Sequence, residues 1–205
     1  MKSAGMEYFR SLAWADYLFN LLAEPRKFTR MILREDAKPL PGAVAVAFTA
    51  VLADQLAVTS LGVPGPCAYY GLTYGTLLMF LVMCVKLLVL ACLIDLLCQF
   101  LGYAGRVREL VTLAGYAMFP QVLILPVIHI FRVFHAAAPF FYVLFSLALF
   151  VWSALIVAVG VSETHSVPFS RAALIFLFPF ALAGAIAFLC AVLVLLIAFG
   201  YLSSI

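Results

Sequence analysis

Leu81–Gly102 reads LVMCVKLLVLACLIDLLCQFLG, an apolar run long enough to cross a bilayer that nonetheless carries Lys86 and Asp95. Lipid offers no partner for backbone amides, so such a run is a helix. On a helix the two charges, nine positions apart, point in opposite directions and stand roughly 13 Å apart along the axis. They cannot neutralise each other. Each needs a partner outside its own helix.

The rest of the chain has the same character. Of 205 residues, 67% are hydrophobic and 10% charged, and the mean hydropathy is +1.21. A soluble domain has about half its residues apolar and a quarter charged, so this is an integral membrane protein. Five stretches are long and apolar enough to span: Pro41 to Leu61, Thr76 to Leu101, Leu110 to Phe131, Pro139 to Val161 and Leu174 to Tyr201. No alternation of the kind a barrel needs is present. The expected fold is an all-α bundle of five transmembrane helices, residues 41–205, preceded by an N-terminal arm, residues 1–40, of amphipathic interfacial helices.

Lys and Arg orient the bundle. Seven precede the first span, two lie between the second and third, and Arg171 lies between the fourth and fifth, whereas only Arg132 falls on the other side. Ten against one predicts a cytoplasmic N-terminus and, with five crossings, an external C-terminus. No cleavable leader is expected, because the charged first forty residues hold no short apolar core followed by a small-residue cleavage site.

The arm carries the main concentration of charge. On a helix over Pro25 to Glu35, Arg26, Lys27, Arg30 and Arg34 share one arc, and Phe28, Met31 and Ile32 fall opposite. That pattern suits an anionic inner-leaflet surface, with the four cations on lipid headgroups or on a partner. Upstream, EYFRSLAWADYLFNLLAE reads as a second, more apolar helix lying against the bilayer or a partner, with Asp16 and Asn20 on a narrow polar strip.

Inside the membrane, a central charge costs about 2.5–3.5 kcal/mol. Asp95 is near enough to the cytoplasmic end for water or a headgroup to reach it. Lys86 lies mid-span, and Asp54 of the first span sits at a similar depth with Gln55 beside it, so an intramembrane Asp54–Lys86 pair is expected. The third span holds Pro120 and Pro126, each of which removes a helical hydrogen bond and predicts a kink, with Tyr116 and Gln121 beside the first.

Several function classes lack support. A net charge of +3 with no concentrated basic patch argues against nucleic acid. The five cysteines show no paired spacing, and Cys67, in a loop, has no evident partner. His129, His135, His165 and Glu163 divide between the two membrane faces, so no metal centre is expected. No HExxH, GxSxG or P-loop occurs, and neither an enzyme activity nor a cofactor is expected.

Three stretches resemble a known family. LLAEPRKFTRMI, GYAGRVRELVTLAGYAMFPQVLILPV and VWSALIVAVGVSETHSVPFSRAALIF, in that order, are similar to the Yip-one (Ypt/Rab-interacting) domain family of five-span membrane proteins, short prokaryotic type, at Pro25 and Phe28, at Gly115, Tyr116 and Pro120, and at Trp152, Gly160, His165, Ser170, Arg171 and Ala172. The resemblance implies a non-enzymatic protein that forms homo- or hetero-oligomers with membrane partners, as scaffold or accessory subunit in membrane-protein assembly or membrane trafficking. Eukaryotic members associate with Rab-type GTPases, but their Asp-Leu-Tyr-Gly-Pro type stretch is absent here, which argues against GTPase binding. The alternative is a small transporter, channel or lipid-moving protein that uses the Pro-broken third span with Asp54 and Lys86.

Overall fold

The computed structural model describes residues 18–34, 39–62, 66–132 and 138–202. Residues 18–23 are helical, and α1 (Pro25–Arg34) follows. The spans are α2 (Pro39–Ser60), α3 (Pro66–Phe100), a divided third span, α6 (Ala138–His165) and α7 (Phe169–Leu202). The third comprises α4 (Val107–Tyr116), a 3-10 segment (Phe119–Leu123) and α5 (Ile124–Phe131). All five are long and apolar enough to cross a membrane, as the apolar runs predict.

Glycine and proline set the helix ends. Gly102, at φ 88°, reverses the chain after α3, and the Tyr103 N–H reaches Cys98 O at 3.0 Å while the Gly102 N–H reaches Gln99 O at 2.9 Å. This is the paired bonding that satisfies a helix's last carbonyls. Gly71 (φ 74°) breaks α3 near its start, and Cys67 lies in a helical turn rather than a loop.

Pro120 opens the 3-10 segment, and the α-helical ladder stops there as expected. Pro126 plays a different part. It stands third in α5, within the first turn, where a helix has no use for an amide. The interruption is therefore one break at 117–123 rather than two kinks.

Packing is uneven through the membrane. Alanines at 43, 47, 50, 53 and 57 are buried along one face of α2, and small residues let helices approach closely in lipid. At Gly115 the approach is to another helix's backbone, an added Cβ lying 2.9 Å from Ala43 Cβ and 3.1 Å from Ala43 O. The largest core cluster lies on the N-terminal side, where Leu21, Phe28 and Ile32 pack with Ile94, Leu113, Ile156 and Phe176. A small central layer joins Ala47, Ala50 and Met118, and an opposite one joins Ala57, Ile124 and Ile128. Half of the most apolar stretch of the third span is buried, against 11% for α3 and none for α7.

Candidate functional site

The polar residues fall into three groups, one at the N-terminal end of the bundle, one beneath it and one inside the membrane.

In the first, α1 lays Phe28 and Ile32 into the core, and the Phe28 ring meets Tyr116 edge-on at 5.2 Å. The apolar face expected to lie in lipid is thus covered by the bundle. Leu21 likewise packs inward, while Asp16 and the start of the upstream helix lie outside the described residues. The basic arc is partly neutralised: Arg30 Nε donates to Glu163 Oε2 at 2.9 Å, Arg26 Nε lies 3.9 Å from Glu163 Oε1, and Lys27 pairs with Glu24 at 3.5 Å. Arg34 ends the helix, and its side chain lies outside the described set. Among the described side chains, Arg26, Lys27 and Arg30 set against Glu24 and Glu163 leave a surplus of one positive charge. A cavity of about 850 Å³ runs along α1, lined by Pro25, Arg26, Lys27, Arg30, Met31 and Val159.

The second group corrects the reading of Asp95. It is 1% exposed, and its partners are protein rather than water or headgroup. Its Oδ1 accepts the Arg106 N–H at 2.6 Å, and its Oδ2 accepts Gln99 Nε2 at 2.6 Å. Gly105 lies close beside them, and a Cβ there would displace the Gln99 amide that Asp95 holds. His165, expected at the interface, is also buried. Its ring bonds the Ala104 backbone, and Nε2 stands 3.9 Å from Asp95 Oδ1. Asp95 therefore holds the 102–106 turn against the ends of α3 and α6.

The third group lies at the break in the third span. Tyr142, in the first turns of α6, donates its hydroxyl to Asp54 Oδ1 at 2.8 Å and pairs with Ser146 one turn on. Asp54 and Gln121 together face two adjoining cavities. One, of about 60 Å³, is shared with Gln55, Met83 and Lys86, and the other, of about 230 Å³, with Ile124, Tyr142, Ser146, Leu149 and Phe150. Asp54 and Lys86 line the same cavity, yet no ion pair within 4.0 Å joins them among the described residues. Tyr142 from the fourth span holds one carboxylate oxygen, and the smaller cavity stands between the charges. Lys86 is exposed as well as lining the smaller cavity.

Tyr116 does not line these cavities. Its ring lies over Gly42, where a Cβ would collide with the Tyr116 hydroxyl, and so joins α2 to α1. Sequence reasoning missed Tyr142 and Ser146. Their only signal is two hydroxyls four residues apart, on one helix face, at the depth of Asp54.

No group of three or more His, Cys, Asp or Glu among the described residues could hold a metal ion. The family model described as the Yip1 domain matches residues 19–204. The chain matches no curated protein and no solved structure.

Proposed function

The chain belongs to the Yip1 domain family, and from that premise we propose that it is a non-catalytic scaffold or accessory subunit that assembles with membrane partners in a bacterial inner membrane. The observation that carries this reading is the distribution of burial. α7 has none of its most apolar stretch covered and α3 only 11%, whereas α2 and the third span are 39% and 50% buried.

Lipid can cover an apolar helix, so exposure alone does not require a partner. Lys86 adds the requirement, because its mid-span position on the exposed face of α3 costs about 2.5–3.5 kcal/mol against lipid. A neighbouring subunit carrying an acceptor would offset that cost. α7 supports the same reading with exposed Ala183, Ala187 and Ala191, spaced four apart as closely packed membrane helices require.

The excess of Lys and Arg on one side supports a cytoplasmic N-terminus. α1 then stands at the inner leaflet with a surplus of one positive charge among its described side chains, worth about 1 kcal/mol toward anionic lipid. This is enough to bias headgroups but not to anchor the arm. The decisive experiment is purification from native membrane into lipid nanodiscs, followed by mass measurement. A stoichiometric oligomer or a co-purified membrane protein supports the proposal; a lone monomer at native expression level defeats it.

A further inference from the structure

The two cavities at the break in the third span carry a reading that stands apart from assembly. Asp54 Oδ1 is held by Tyr142, but Oδ2 accepts no hydrogen bond among the described residues. Lys86 likewise reaches no carboxylate within 4.0 Å among them. An ionised carboxylate beneath a membrane surface is costly unless a positive group faces it. Asp54 Oδ2 is thus the acceptor on which a cation entering these cavities would act.

The larger chamber specifies what kind. One side presents acceptors, the Asp54 carboxylate with Gln121, Tyr142 and Ser146, and the other is apolar, formed by Ile124, Leu149 and Phe150. A hard metal ion seeks six or more oxygens and gains nothing from an apolar wall. A primary ammonium offers three N–H donors, and the carbon chain that carries it covers the wall. The volume of about 230 Å³ holds far more than a water yet falls short of the roughly 300 Å³ at which drug-sized pockets begin, so the body is short.

Depth determines how such a group arrives. Asp54 is six residues from Ser60 and Tyr142 three from Pro139, which places them roughly 5–9 Å inside the helix ends. The fourth span, at 27 residues, is about 40 Å long and outruns a hydrocarbon core of about 30 Å. The chamber thus lies roughly 5–9 Å below the outer ends of the first and fourth spans, within reach of a dissolved amine or an aminolipid headgroup.

We propose that the larger chamber binds a primary ammonium group on a short apolar body, the ammonium donating to Asp54 Oδ2 while Lys86 competes for the same carboxylate from the smaller cavity. The test uses the full chain in phosphatidylcholine nanodiscs, with radiolabelled hexylamine as probe and hexanol as its uncharged control. Hexylamine should bind saturably and hexanol at least tenfold more weakly. Asp54→Asn should weaken hexylamine at least tenfold, and Lys86→Met should strengthen it by removing the rival cation.

Adding phosphatidylethanolamine to the discs separates the sources. Competition with hexylamine assigns the site to an aminolipid headgroup, and its absence assigns it to a soluble amine. Equal binding of hexanol and hexylamine to the unmodified protein overturns the proposal even if Asp54→Asn fails to fold. So does the absence of saturable hexylamine binding, an unchanged affinity in a folded Asp54→Asn protein, or weaker binding in Lys86→Met.

Discussion

The Asp95 carboxylate, in the last turns of α3, accepts the Arg106 backbone N–H at 2.6 Å, so one span holds the residue from which the next begins. Arg106 is the cap residue of α4 and makes no side-chain cap of its own. Asp95 instead accepts the amide of the cap residue itself, the bond that the third-residue carboxylate makes in a capping box. Asp95→Ala removes two charge-assisted bonds, to the Arg106 amide and to Gln99, and should cost about 3 kcal/mol. Asp95→Asn keeps an acceptor for Arg106 and should cost about 1 kcal/mol. Thermal unfolding in detergent, run on both variants, checks the order; equal losses would show that the cap geometry is not what matters.

Gly115 faces the Ala43 backbone, and a Cβ placed there would lie 2.9 Å from Ala43 Cβ and 3.1 Å from Ala43 O. Backbone cannot swing aside as a side chain can, so Gly115→Ala should force α2 and α4 apart at a cost of about 1–3 kcal/mol. Gly184 on α7 has nothing within 4 Å of an added Cβ. Gly184→Ala is the matched control, and monomer stability in detergent should not fall.

These two sites show what was legible beforehand. The five spans and the break at Pro120 follow from local composition, because lipid leaves a continuous apolar run only the helical solution. The partners of the charges do not. Asp95 looked interfacial by counting residues to the helix end, but Gly102 turns the chain back so that Arg106, eleven positions on, covers it. Arg30 meets Glu163 across 133 positions, and Tyr142 meets Asp54 across 88. Helical periodicity reveals which face a residue occupies and says nothing about which helix lies opposite. The apolar arc of α1 was legible as a buried face, but whether lipid or bundle covered it depended on tertiary packing.

Ser166 follows α6 in the left-handed region at φ 54°, and the Val167 N–H bonds Ser162 O at 2.9 Å across it. A glycine normally occupies this position, since a side chain costs about 1–2 kcal/mol there. Glycine loses some of that advantage through its greater freedom when unfolded. Ser166→Gly should therefore stabilise by about 0.5–1 kcal/mol, seen as a rise of about 1–4 °C in midpoint, and Ser166→Val should lower it.

Glu163 takes both Arg30 and Arg26, and so withholds cations from the headgroups beside α1. Glu163→Gln removes the competing negative charge. Anionic lipid retained by the purified protein, counted by native mass spectrometry, should then increase. High salt should erase the difference, since exposed charges are screened. Unchanged lipid retention would mean that α1 does not meet the leaflet through this arc.

The last prediction separates a lipid-covered α7 from a protein-covered one. Ala183, Ala187 and Ala191 are exposed on the half of α7 that makes least contact with its own bundle. If a neighbouring helix packs there, its approach depends on small side chains, and Ala187→Leu should split the assembly in nanodiscs. If lipid alone covers the face, leucine is as acceptable as alanine and the assembled mass stays the same. Thermal stability of the isolated monomer should not change in either case, because no described residue of the chain packs over position 187. A drop in assembled mass at constant monomer stability therefore identifies α7 as the contact, and a constant mass moves the search to the face of α3 that carries Lys86.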